Sequence, residues 1–132
     1  MSALAPDRRW GWTVGTGSRR GVVRAVRGDT GQEIWREYLS NGKAKPETAD
    51  QPENQLSAVL ALDVNGDGRT EFVVGGNDGW LYAVDSGTGR LVWGLDLKAP
   101  VLNPIAADFD GVGSSEILVP TGDGYLYAVG ER

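Results

Sequence analysis

ALDVNGDGRTEFVVGGNDGWLYAVD (61–85) and AADFDGVGSSEILVPTGDGYLYAVG (106–130) are one pattern written twice, 45 positions apart and without a gap. Twelve of the 25 aligned positions are identical, among them Asp63/Asp108, Gly68/Gly113, Glu71/Glu116 and the Leu-Tyr-Ala-Val run. A fixed period of roughly 40 to 45 residues, filled with short strands and glycine turns, marks the blades of a β-propeller. A blade cannot bury its own two faces, so function has to be argued from an array.

A worn third copy lies upstream. AVRGDTGQEIW (25–35) aligns with AVDSGTGRLVW (83–93) at an offset of 58. The excess over 45 falls in SNGKAKPETADQPENQLS (40–57), a polar, proline-bearing stretch without periodicity. It reads as an inserted loop over 40–55. The expected organisation is a partial propeller over 1–132, with blades at about 2–39, 56–98 and 101–132.

Strand signals fill these blades. Trp80 to Val84 is apolar on both faces, as a strand between two neighbouring blades must be. Leu91, Trp93, Leu95 and Leu97 alternate with Val92, Gly94, Asp96 and Lys98, the period of a half-buried strand. Asn77-Asp78-Gly79 and Ser86-Gly87-Thr88-Gly89 supply turns. No window gives an amphipathic helix. The fold class is all-β: about three four-stranded antiparallel meanders, incomplete at both ends. Only Ser2-Ala3-Leu4 stands where an opening strand belongs, and Arg132 precedes a last fourth strand. Trp10 to Val14 resembles Trp93 to Leu97. It is either a strand donated to the last blade or the second strand of the first.

Composition narrows the chemistry. With no cysteine and no histidine, the chain has neither thiolate ligands nor the commonest general base. Any metal must be held by oxygen, which favours calcium or magnesium. A net charge of −5 disfavours a nucleic-acid partner. No apolar run reaches a bilayer-spanning length, and MSALAPDRRW has no signal-peptide core.

The sharpest chemical signal is Asp63-Val64-Asn65-Gly66-Asp67-Gly68-Arg69-Thr70-Glu71. Oxygen side chains stand at loop positions 1, 3, 5 and 9, with glycine at 6. Asp63, Asn65, Asp67, the Arg69 carbonyl and Glu71 are the expected calcium ligands. The closing glutamate comes too early for an EF-hand, which places it at position 12. A purely conformational Asn/Asp/Gly turn is the alternative. The next loop keeps Asp108, Asp110, Ser114 and Glu116 but has Val112 at position 5, and makes a poorer site. Ala5 to Thr13, the matching stretch of the first copy, has lost the ligands.

These nine-residue loops resemble those of the FG-GAP and VCBS repeat families. The other half of the repeat resembles quinoprotein-like propellers. Ala83, Asp85, Thr88, Gly89 and Trp93 fit their tryptophan-docking motif, and Ala25, Thr30, Gly31 and Trp35 fit it with Arg27 in place of the acid. The resemblance implies that Trp35 and Trp93 dock onto neighbouring blades as structural residues. No nucleophile–base pair or phosphate-cradling loop is legible, so the expected role is non-enzymatic. It is a calcium-stapled scaffold or binding platform, self-assembling into a homo-oligomer or completed by further blades of a parent chain. A protein or carbohydrate ligand and an extracellular or periplasmic setting suit it. The second reading is a fragment of a quinoprotein-like dehydrogenase or of a calcium-dependent polysaccharide lyase.

Overall fold

A computed structural model describes residues 2–64, 68–107 and 116–129. The first sheet comprises β1 (Ser2–Asp7), β2 (Gly11–Gly17), β3 (Val22–Arg27), β4 (Glu33–Ser40) and β5 (Lys43–Lys45). The second comprises β6 (Leu60–Leu62), β7 (Glu71–Gly75), β8 (Trp80–Asp85) and β9 (Leu91–Asp96). The third comprises β10 (Ile105–Ala107), β11 (Glu116–Pro120) and β12 (Leu126–Val129). In every sheet the strands neighbour each other in chain order, and all pairs are antiparallel. No helix occurs among the described residues. The described residues thus form three propeller blades.

The second sheet is the centre of the array, and the alternation of its side chains explains why. Phe72, Val74, Tyr82 and Val84 join Ala5, Val23, Ala25 and Leu39 of the first sheet in one core. Val73, Leu81 and Ala83 join Val101, Ile117 and Val119 in the other. One β-strand thus feeds two cores, because successive side chains point to opposite faces. Phe72, Leu81 and Tyr82 are fully buried. Each such side chain contributes about 1.5 to 3 kcal/mol relative to exposure.

The first sheet departs from expectation in three respects. Its opening strand is complete, six residues from Ser2 to Asp7. Residues 11–17 pair with β1 on one side and β3 on the other, so Trp10 to Val14 leads into the second strand of its own sheet and is not donated. Within the aperiodic stretch, Lys43–Lys45 adds a fifth strand to β4. The turn between them is Asn41-Gly42, with φ of 53° and 77°. Positive φ at both central residues is what a two-residue hairpin requires, and Asn-Gly supplies it.

Candidate functional site

The acidic loop joins β6 to β7. Leu62 is the register partner of Glu71, so the two ends of the loop meet at the sheet edge. Glu71 is 1% exposed, a buried carboxylate at the start of a core strand. Its Oε1 accepts the Val64 N–H at 2.9 Å, and Asp63 Oδ2 accepts the Gly68 N–H at 2.7 Å. The backbone is therefore drawn around both carboxylates. Such a group must be paired, hydrogen-bonded or neutralised by a cation to stay charged when buried. Asp63 and Glu71 offer oxygen donors alone, the kind that a hard divalent cation such as calcium takes. Asn65 and Asp67 lie outside the described residues, as do Asp108, Asp110 and Ser114. Of the poorer loop only Glu116 is described, half-buried at the start of β11.

Arg69 faces outward from the loop. Its guanidinium pairs with Asp85 at 2.8 Å. Asp85 Oδ1 in turn accepts the N–H groups of Gly87 and Thr88 at 2.8 and 3.1 Å, which folds the Ser86–Gly89 turn. The loop and the docking turn of one blade are thereby tied by a single carboxylate.

Trp35 closes the joint from the neighbouring sheet. Its Nε1–H donates to Ser86 O at 2.8 Å, and its ring lies 6.3 Å from that of Phe72. A Cβ on Gly89 would stand 2.6 Å from the Trp35 ring, so only glycine fits beneath it. Trp93 occupies the same place in the second sheet and packs against the Val73–Leu81–Ile117 core. Both tryptophans follow a bulge: the register shifts between Ala25 and Val26 opposite Trp35, and between Ala83 and Val84 opposite Trp93. A bulge bends the strand and re-aims its side chain, here toward the adjacent blade.

The first sheet shows what replaces an acidic loop. At the offset of 58, Ala5 stands for Asp63 and Thr13 for Glu71. Thr13 is fully buried. It accepts the Trp10 Nε1–H at 3.0 Å and donates to Asp7 Oδ2 at 3.1 Å. Arg9 pairs with Asp7 at 2.8 Å and lies 4.0 Å over the Trp10 ring, while Arg27 approaches the same ring at 5.1 Å. The hydrogen bond from Arg9 is the main cause that lowers the Asp7 pKa to about 2. Charge, indole and hydroxyl satisfy one another without an ion. Sequence reading missed this cluster, because Asp7, Arg9, Trp10 and Thr13 match no repeat signature.

A second polar network was also missed. Asp78 accepts the Tyr82 hydroxyl proton and the Asn41 N–H, and its own N–H donates to Asn54 Oδ1 at 3.0 Å. Desolvation is the main cause that raises the Tyr82 pKa. The recurrence of Asp78 as Asp123 was the available signal.

Between the first two sheets, a cleft of about 640 Å³ is lined by Asp7, Arg8, Arg9, Gly68, Arg69 and Asp85. No group of three metal-ligating acids occurs among the described residues. No helix among them is long and apolar enough to cross a membrane.

A family profile described as outer membrane protein assembly factor BamB matches residues 19–131. Among solved structures, BamB from Moraxella catarrhalis superposes with a TM-score of 0.63 at 16% identity. The alignment covers 96% of this chain and 30% of that one, so the chain spans under a third of that structure's length. No curated protein matches. The findings speak for the quinoprotein-like side of the sequence resemblance. They leave the FG-GAP and VCBS side to the chemistry of the Asp63–Glu71 loop.

Proposed function

The chain belongs to the family described as outer membrane protein assembly factor BamB, and from that membership we propose that it is a segment of a quinoprotein-like propeller that binds other protein surfaces. Sequence reading put a calcium-stapled module, self-assembling or excised from a larger propeller, ahead of a fragment of a quinoprotein-like dehydrogenase or calcium-dependent polysaccharide lyase. The family favours the fragment, and the platform role is carried over to it without a catalytic one.

One observation supports this most. Leu60, Val73, Leu81 and Ala83 of the second sheet line or flank a core. Forty-five residues on, Ile105, Leu118, Leu126 and Ala128 occupy the same places in the third sheet. Cross-strand register puts Ile105, Leu118 and Ala128 on one face. Yet Leu126 is 64% exposed and Ile105 57%. A contiguous apolar face of this kind is an interaction surface. A further blade, of a parent chain or of a second copy, fits it as the third sheet fits the second.

The Asp63–Glu71 loop acts in this reading as a calcium staple between the first two strands of its blade. It stabilises the fold by an amount that grows with the logarithm of calcium concentration over its dissociation constant. Extracellular or periplasmic calcium suits that role. Light scattering tests the platform: concentrated protein is expected to exceed the monomer mass, and Leu126→Asp is expected to return it to monomer. A parent chain that stays monomeric at every concentration contradicts self-assembly.

A further inference from the structure

The first blade carries a small ligand for the second, and the second carries none for the third. The ligand is the β4–β5 hairpin. At its turn, the Asn41 N–H donates to Asp78 Oδ2 at 3.0 Å and the Gly42 N–H donates to the Tyr82 hydroxyl at 3.2 Å. Tyr82 in turn donates to Asp78. Gly42 lies flat on Trp80, since a Cβ there would stand 2.7 Å from the indole. The receptor is therefore a carboxylate, an aromatic face and a tyrosine hydroxyl at Asp78, Trp80 and Tyr82. The donor is a glycine turn offering two backbone N–H groups.

The third sheet repeats the receptor as Asp123, Tyr125 and Tyr127. The Tyr125 and Tyr127 rings are 6.2 Å apart, and Tyr125 is 65% exposed. Asp123 Oδ1 accepts the Thr121 hydroxyl proton and, at 3.4 Å, the Tyr125 N–H. Among the described residues, Asp123 Oδ2 and the Tyr127 hydroxyl have no hydrogen-bond partner, the two atoms that correspond to the acceptors of the turn in the second sheet. The donor is missing because the chain leaves β9 differently. Sheet two ends at β9 with no fifth strand, and the chain runs through Val101, which bridges to Thr121, into β10. So β9 keeps the outer edge that β4 gives to β5.

We infer that Asp123, Tyr125 and Tyr127 form a docking site for the glycine-bearing turn of a β-hairpin supplied by a partner protein, bound as Asn41-Gly42 is bound by Asp78, Trp80 and Tyr82. The strand that follows the turn would extend the β9 edge as β5 extends β4, the mode in which main-chain hydrogen bonds give affinity and side-chain pockets give specificity. The site names a partner for the proposed platform and rests on that reading for its use. Its geometry rests on the repeat alone.

The test is calorimetric titration of the whole chain with a backbone-cyclised peptide carrying Tyr38 to Lys45. The peptide is expected to bind, and to bind about tenfold or more weaker to Asp123→Asn and to Tyr127→Phe, the loss of one hydrogen bond each. A peptide with Gly42→Ala is expected to lose binding to unaltered protein, which keeps the test valid should either protein variant misfold. No binding at millimolar peptide, or equal affinity across all pairs, overturns the inference. A chain that is monomeric by light scattering yet binds the peptide sinks self-assembly and leaves the site standing.

Discussion

Strand β8 and strand β12 carry the same four residues, Leu-Tyr-Ala-Val, and meet opposite fates. Leu81, Tyr82, Ala83 and Val84 are each 0% exposed. Of their counterparts, Leu126 and Ala128 are exposed, and Tyr127 and Val129 are half-buried. Local sequence does not decide burial here. Neighbours do: β8 lies between two sheets, and β12 has one. The first sheet, the other end of the array, protects its outward face differently. Arg24, Glu33, Arg36 and Glu47 form an ion ladder there, with contacts of 2.7 to 3.1 Å. Charges of that kind discourage another sheet from packing, and on the apolar face of the third sheet the described strands carry a single one, Glu116, at the end of β11. The two ends thus differ in readiness to receive a neighbour.

The largest expected effect sharpens this contrast. Leu81→Ala should lower unfolding free energy by about 2 to 5 kcal/mol, as large-to-small core changes do. Leu126→Ala should change it by less than about 0.5 kcal/mol. Urea titrations of both variants decide the matter, and equal losses would break the comparison.

Next comes the joint between the first two blades. Gly89→Ala forces a side chain onto φ of 78° and against Trp35. A loss of about 1 to 3 kcal/mol is expected for a residue held in that region. Trp35→Phe, which removes only the N–H to Ser86 and part of the ring, should cost about 1 to 3 kcal/mol. Thermal melts of the two variants measure this.

The acidic loop and its ion-free counterpart give smaller, conditional effects. Chelator is expected to lower the melting temperature of the parent chain and to leave Asp67→Ala unmoved. If the variant melts with the parent in saturating calcium, residues 63–71 are a turn and nothing more. In the first sheet, Asp7 has its folded pKa depressed to about 2 from 3.8. Its contribution is therefore present above about pH 4 and is lost as pH falls toward 2. Asp7→Asn should flatten that part of the stability curve in acid titration.

Much of this was readable beforehand, for physical reasons that differ by residue. Trp80 to Val84, apolar on both faces, could only be a strand between blades. Trp35 and Trp93 stood at a fixed distance from Thr-Gly turns. By contrast, Lys43-Ala44-Lys45 carries no apolar alternation, and only Asn41-Gly42 marks the hairpin that makes it a strand. Trp10 to Val14 left a donated strand open beside the second strand of its own blade, because Trp-Gly is shared with Trp93-Gly94. The Asp7–Arg9–Trp10–Thr13 cluster and the Asp78–Asn54 link depend on side chains that meet only after folding. No spacing announces them.

Amide hydrogen exchange of β8 against β12 tests the central claim most directly, in dilute solution where light scattering gives a monomer. If neighbouring sheets supply the burial, amides of Leu81 to Val84 should exchange at least about a hundredfold slower than those of Leu126 to Val129, a difference of near 3 kcal/mol in opening free energy. Equal protection of the two strands would contradict the account.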